Sequence, residues 1–267
     1  AYHGKLESDG QLADAYVKVM SNQEQLPEKR NGIPDDIWRF GRVRDLIIPG
    51  VISRRSSSQP KILFFCGKSA EPWSPQSINT TGIGGSETAV IQIAKRFSQD
   101  GWQVDVYNDC DYLEGEYDSV GYWDLSRLTE RENIDVFVSW RNPSAHILPI
   151  NRRLSLLWCH DLHSGVGIEA HMAKWDRVLG VSEWHSSYLS KMYGIDHTDF
   201  VPNGIELERF SHEIKKTPFR CVYASSPDRG LLNLLRMWPA IVANEPTAEL
   251  HIAYGWDTID KYIALGN

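Results

Sequence analysis

Two histidines and an aspartate stand close together in the stretch WCHDLHSG, directly after an apolar run. His160 and His163 can form hydrogen bonds with a polyol or move a proton near neutral pH, and Asp161 can orient a neighbouring imidazole. A metal site is one alternative, but it needs further ligands that the sequence does not place. A loop histidine without function is another. The pattern favours a polar site with His160 as its first candidate.

The glycine-rich stretch TTGIGGSETAV, residues 80–90, is a second candidate. Gly84, Gly85 and Ser86 stand between a predicted strand and a predicted helix. There, backbone N–H groups and the helix dipole can hold an anion, and glycine lets a ligand approach the backbone. A tight connection without a ligand is the alternative. The segment from Gly67 to Gly82 is too long for a dinucleotide fingerprint, which disfavours a nicotinamide enzyme.

Two further loops carry groups that bind cations or phosphate. Asp109 and Asp111 could hold a divalent cation together with a diphosphate, although the acidic stretch that follows also fits a solvated loop. Ser225, Ser226 and Arg229 lie between a predicted strand and a predicted helix, and arginine binds phosphate oxygens with two parallel hydrogen bonds. Helix capping by the serine and aspartate side chains of SSPDRG is the alternative there.

The elements that must position these residues alternate from Lys61 onward. Short apolar runs predict strands, and amphipathic segments predict helices. The predicted strands are 61–66, 102–107, 134–140, 153–159 and 177–182, and the predicted helices are 86–101 and 182–194. This alternation indicates an α/β fold with a parallel sheet and helices on both faces. Such sheets bind ligands at the carboxyl ends of their strands.

The chain divides into three predicted parts. Residues 1–60 are predicted to form a helical N-terminal extension, 61–210 a Rossmann-like domain, and 211–267 the start of a second Rossmann-like domain. The second domain has strands at 219–224 and 248–255 and helices at 229–246 and 258–266. Because the chain begins with Ala and this domain stops early, we expect a piece of a longer protein.

Composition narrows the class of protein. A net charge of −7 and a pI near 5.7 disfavour nucleic acid as a partner. The sequence shows neither a secretory signal nor a run of roughly 20 apolar residues, so we expect a cytoplasmic protein. The four scattered cysteines are expected to be buried free thiols.

Five segments, taken together and in order, resemble the retaining glycosyltransferases of family four. This is the glycogen synthase-like group, also called glycosyl transferases group one, which has the two-domain GT-B fold. The segments are GIGGSETAVIQIAKRFSQDGWQVDVY, CHDLH, VLGVSEWHSSYL, VPNGIELERF and SSPDRGL. The resemblance covers about residues 61–255, and VPNGI is its most specific piece.

The resemblance implies roles for residues of the first domain. Gly84, Gly85 and Ser86 would form the glycine loop near the donor diphosphate and the acceptor. His160 matches the histidine that touches the donor sugar or assists at the reacting centre, and Asp161 would bind substrate beside it.

Residues toward the second domain also match the family pattern. Asn203 and Gly204 would shape an interdomain cleft, because VPNGI leads from one domain to the next in such enzymes. Ser225, Ser226 and Arg229 fall where the family has its phosphate-binding pair, with Ser226 at the place of the usual arginine. The family's paired-glutamate element has no match before Asn267.

The activity implied by the resemblance is transfer of a sugar, with retention, from a UDP- or GDP-linked donor to a glycan or other hydroxyl acceptor. It needs no metal or other cofactor. One alternative is a metal-dependent transferase of the GT-A kind that uses Asp109 and Asp111. Another is a non-catalytic glycan-binding or scaffold module, and peripheral membrane or multidomain association stays open with either.

Four tryptophans near the predicted loops could stack on sugar rings. They are Trp73, Trp140, Trp158 and Trp184. A role in the hydrophobic core is the alternative, above all for Trp158.

Overall fold

The structure, a computed structural model, describes residues 59–69, 71–80, 82–129, 131–162, 168–205 and 214–253. Residues 59–205 belong to one compact unit and residues 214–253 to a second. Almost all of the predicted N-terminal extension, the predicted boundary near residue 210 and the predicted helix over 258–266 lie outside the described residues. No helix in the described ranges is long and apolar enough to cross a bilayer.

The first unit is built on an eight-stranded sheet in the order β3-β4-β2-β1-β5-β6-β7-β8. Its strands are β1 Lys61–Gly67, β2 Gln103–Asn108, β3 Gly115–Tyr117, β4 Val120–Asp124, β5 Arg131–Trp140, β6 Ile150–Trp158, β7 Arg177–Gly180 and β8 Thr198–Phe200. All neighbouring strands run parallel except β3 and β4. The predicted α/β fold with a mostly parallel sheet is therefore confirmed.

Helices cover both faces of this sheet, as the alternating pattern predicts. The helices are α1 Gly85–Gln99, α2 Ile168–Met172 and α3 Glu183–Tyr193. Along β1, Ile62 and Phe64 pack in the same cluster as Phe97 of α1, whereas Leu63 packs in the opposite cluster with Leu189 of α3. Because successive side chains of a strand point to opposite faces, a strand buried on both sides reads as a continuous apolar run.

The ends of α3 follow the local signals in the sequence. The hydroxyl of Ser182 accepts a hydrogen bond from the backbone N–H of His185, and Gly194 closes the helix in the left-handed conformation at φ 62°. The cap fixes where α3 begins, which is directly beyond the carboxyl end of β7.

A hairpin at one sheet edge was not predicted. The acidic stretch after Asp111, interpreted as a solvated loop, contains β3 and leads into β4 through a two-residue turn. Asp118 and Ser119 both adopt positive φ, at 52° and 58°, which the twist of a two-residue hairpin requires. The solvated-loop interpretation is wrong for Gly115–Tyr117, because pairing with β4 overrides the weak strand propensity of these residues.

The described part of the second unit is one β-α-β arrangement. β9 Arg220–Tyr223 and β10 Glu249–Ile252 are parallel, and α4 Leu231–Asn244 connects them. These three elements match the predicted strand, helix and strand to within a few residues.

The four cysteines are free thiols. Cys66, Cys110 and Cys159 are buried as expected, whereas Cys221 in the second unit is only partly buried. Burial raises the pKa of the Cys110 thiol to about 12, so it stays protonated and unreactive near neutral pH.

Candidate functional site

The carboxyl ends of the parallel strands meet at one edge of the sheet. Gly67 at the end of β1 pairs with Asn108 at the end of β2, and Trp140 at the end of β5 pairs with Trp158 at the end of β6. The loops that leave these strands therefore start side by side. This edge of the first unit is the candidate site, and His160 follows β6 directly onto it.

His160 is partly buried between two indole rings. Its ring centroid lies 4.5 Å from that of Trp158 and 6.2 Å from that of Trp140, both in edge-on arrangements. The tryptophan side chains restrict the rotation of the imidazole, so His160 presents a fixed orientation. The ring lies at the edge where parallel α/β sheets bind their ligands.

Asp161 is bound by an arginine that sequence reasoning missed. Both Nε and Nη2 of Arg141 lie 2.5 Å from one carboxylate oxygen of Asp161. The guanidinium of Arg141 also lies over the Trp140 ring, 4.9 Å from its centroid. Asp161 is thus oriented by the charge of Arg141, the residue that follows β5.

Arg141 itself has an unusual backbone. Its φ is 62°, in the left-handed region that costs a residue with a side chain free energy. Its N–H donates to the carbonyl oxygen of Trp158, which holds the turn after β5 against β6. Strained conformations cluster at functional sites, so this turn supports placing the site at this edge.

His185 of α3 also holds the His160–Asp161 segment in place. Its Nδ1 accepts a hydrogen bond from the N–H of Val181 at 3.2 Å, so the proton sits on Nε2, which donates to the carbonyl oxygen of Asp161 at 3.0 Å. The imidazole is buried, and desolvation lowers its pKa below the ordinary value. His185 is therefore a neutral link between α3 and the His160–Asp161 segment.

We expect the free energy of unfolding to depend on pH through His185. Its pKa is lower in the folded than in the unfolded state, so its contribution is present above about pH 6.5 and is lost as the pH falls below that value. His185→Gln should be about 1–3 kcal/mol less stable than wild type at pH 8, because the buried link is lost. The deficit should shrink toward pH 5.

Chemical denaturation at several pH values measures this difference. The pKa of His146 is also lowered, mainly by burial and next by the charge of His171. The pH dependence of stability that His146 causes is therefore the same in wild type and in His185→Gln. Only the difference between the two curves of unfolding free energy against pH reports the contribution of His185. Parallel curves at all pH values would contradict the role of a neutral His185.

The glycine loop leads into α1 as predicted. Gly84 is the residue before the helix, in an extended conformation that provides no side-chain cap. The Ser86 hydroxyl donates to the Glu87 carboxylate at 2.9 Å, and a Cβ added at Gly84 would overlap that carboxylate. Glu87 therefore lies over the helix N-terminus, where its charge is favourable. Sequence reasoning did not consider this acid, although it stands in the first helical turn.

Gly85 is open to a ligand. Apart from its chain neighbours and the backbone of its own helix, no heavy atom of the described residues lies within 4 Å of a Cβ added there, and its φ does not require glycine. Neither packing nor backbone strain in the described structure explains a glycine at this position. Close approach of another molecule would explain it.

Asn203 and Gly204 lie just beyond β8 and are exposed. The preceding Val201 is buried, and its N–H donates to the carbonyl oxygen of Gly180 at 2.9 Å. The described part of the first unit thus ends with VPNGI leaving the same edge as β7.

Ser225, Ser226 and Arg229 belong to the second unit, between β9 and α4. Residues 227–229 form a short 3-10 turn, and Gly230 follows with φ 112° before α4 begins at Leu231. The side chain of Ser226 makes no capping hydrogen bond. The capping alternative is therefore not supported for Ser226, and Arg229 is exposed on the turn.

Asp109 and Asp111 follow β2 at the same edge of the first unit. The backbone of Asp109 accepts a hydrogen bond from the N–H of Trp73, and Asp111 adopts a positive φ of 46°. Within the described ranges, no three or more histidine, cysteine, aspartate or glutamate side chains come together as metal ligands would.

Comparison with known proteins does not assign the chain to a family. No protein-family model matches the chain, and no curated protein matches it either. The function therefore rests on the residues at the carboxyl edge and on the sequence motifs that lead to it.

Proposed function

We propose that the chain is a retaining glycosyltransferase of the GT-B type, or a large part of one. It transfers a sugar from a nucleotide-diphosphate donor, linked to UDP or GDP, to a glycan or another hydroxyl acceptor without a metal ion. The observation that carries the proposal is the fixed His160–Asp161 segment at the carboxyl edge, held by Arg141 and His185.

His160 acts by position in this proposal. Its imidazole would contact a hydroxyl of the donor sugar, and the flanking indoles hold the ring where the sugar binds. The bond between the anomeric carbon and the phosphate oxygen breaks, and a bond to the acceptor oxygen forms on the same face. The acceptor proton passes to the departing phosphate, so the protein itself need not supply a base.

The leaving diphosphate would be stabilised by a group that carries positive charge, or partial positive charge, at a fixed position. The N-terminus of α1 at Gly85 is such a group in the first unit. Because the Glu87 carboxylate lies over Gly84, a phosphate at this helix requires that side chain to rotate away. This makes Gly85 and Glu87 the two positions at which the proposal is most easily tested.

We expect Gly85→Ala to fold normally and to bind UDP or GDP about tenfold or more weakly than wild type. Beyond its chain neighbours and its own helix backbone, the added methyl group meets no atom of the described residues within 4 Å, so we attribute weaker binding to a collision with the ligand. Glu87→Gln should bind the same nucleotide more tightly, because a negative charge beside the diphosphate is removed. Calorimetric titration measures both, and equal affinities of Gly85→Ala and wild type would contradict a diphosphate at this helix.

A further inference from the structure

Trp184 differs from the other tryptophans near the carboxyl edge. Trp73, Trp140 and Trp158 are buried, with 2–3% of their surface exposed, whereas Trp184 is 65% exposed. Trp184 is also the only tryptophan of the described ranges that counts as exposed. The sequence suggested all four for stacking on sugars, and the structure leaves one that a sugar can reach.

The Trp184 ring is held in place although it faces solvent. It stacks on Tyr188, one helical turn later, with ring centroids 5.6 Å apart and planes inclined by 17°. Tyr188 is itself partly buried and packs against the core cluster beneath α3. One face of the indole is therefore covered, and the ring loses little further freedom when a ligand binds.

The position of this aromatic pair links it to the candidate site. Trp184 lies in the first turn of α3, and the next residue, His185, donates to the carbonyl oxygen of Asp161. The two exposed neighbours Glu183 and Ser187 carry a carboxylate and a hydroxyl on the same end of the helix. Polar groups beside an aromatic ring suit a ligand with an apolar face and a rim of hydroxyls.

We propose that Trp184, supported by Tyr188, forms a subsite for a pyranose ring of a glycan acceptor. The C–H face of the pyranose stacks on the indole, and its hydroxyls form hydrogen bonds with Glu183 and Ser187. The identification of this glycan as an acceptor rests on the proposed transferase function, whereas its binding does not. One exposed ring flanked by polar groups is too small for a stable protein interface, which buries about 1,200–2,000 Å².

The test measures oligosaccharide binding with cellohexaose, maltohexaose and chitotetraose as probes. Calorimetric titration of the whole chain should show saturable binding of at least one of them. Trp184→Ala should weaken it about tenfold or more, and Trp184→Phe should retain part of the affinity. Met192→Ala is the matched control, because Met192 is 53% exposed on the same helix, and its affinity should stay within about twofold of wild type.

Three results would overturn the subsite. They are absence of binding by wild type to all three probes, equal weakening by Trp184→Ala and Met192→Ala, or a concentration-dependent dimer that only Trp184→Ala abolishes without any glycan binding. Thermal unfolding should be nearly the same for wild type and Trp184→Ala, because an exposed ring contributes little to stability. A large drop in the melting temperature would assign Trp184 a structural role instead.

Nucleotide titration of the same variants separates this subsite from the proposed function. Glycan binding that depends on Trp184, with no binding of UDP or GDP, would leave the subsite standing and remove the transferase. Nucleotide binding without any glycan binding would do the reverse. Unchanged nucleotide affinity in Trp184→Ala, together with lost glycan affinity, is the result that we expect.

Discussion

His160→Ala is expected to lower the turnover of sugar transfer by about a hundredfold or more, the range for loss of one preorganised hydrogen-bonding group that contacts the transition state. The imidazole follows β6 at the carboxyl edge and packs against two indole rings. Its loss removes a contact that the donor sugar makes in the transition state. Steady-state kinetics with UDP- and GDP-linked sugars measures the effect.

Two further variants define the role of this histidine. His160→Gln keeps a hydrogen-bonding side chain, so it should recover part of the activity if His160 positions the sugar rather than accepting a proton. His197→Ala is the matched control, because His197 precedes β8 at the opposite end of the strands and its side chain contacts Asp196 and the Met172 carbonyl. Undiminished turnover in His160→Ala would remove His160 from the mechanism.

Gly180→Ala is expected to be destabilised by about 1–3 kcal/mol, the usual range for a group forced into a closely packed site. A Cβ at Gly180 would lie 2.7 Å from the backbone nitrogen of Ser186 and 3.1 Å from the carbonyl carbon of His185. These are backbone atoms of the first turn of α3, so they cannot rotate away as a side chain would. The turn must shift, and His185 moves with it.

Because His185 donates to the Asp161 carbonyl, Gly180→Ala should also impair the candidate site. Denaturant unfolding and activity at a temperature where the variant remains folded measure the two effects separately. Gly85→Ala is the control for stability, since an added Cβ there meets no other part of the described chain within 4 Å beyond its neighbours and its own helix backbone. A variant at Gly180 as stable as wild type would mean that α3 is not packed as closely on β7 as the structure shows.

Most of the fold could be predicted from the sequence because its signals are local. The apolar runs of β1, β5 and β6 are continuous, since both of their faces are buried, and Ser182 and Gly194 mark the ends of α3 by their own backbone and capping chemistry. The hairpin of β3 and β4 was missed because a three-residue edge strand with a Glu has no strand signal of its own.

The candidate site was predicted less completely. The motifs identified His160 and Gly85 and placed their loops at the carboxyl edge. Arg141 and His185 were missed, because their contacts with Asp161 join residues 20 and 24 positions apart. A signal existed for His185, which falls on the same helical face as the buried Leu189 and so needs a polar partner.

The roles of individual tryptophans could not be separated by sequence. Trp140 and Trp158 end strands, and both prove to be buried beside His160, whereas Trp184 starts a helix and is exposed. Strand ends and helix starts both lie at the carboxyl edge, so proximity to a loop does not decide exposure. Packing against neighbouring elements decides it, and packing is a property of the folded chain.

The central claim, that the chain binds a nucleotide-sugar donor without a metal ion, is tested most directly by calorimetric titration with UDP and GDP, each with and without magnesium. We predict saturable binding of one nucleotide with the same affinity in both conditions. Binding that requires magnesium would instead favour the metal-dependent alternative with Asp109 and Asp111. Absence of binding to both nucleotides would contradict the proposed transferase, and a glycan-binding module would then account better for the exposed Trp184.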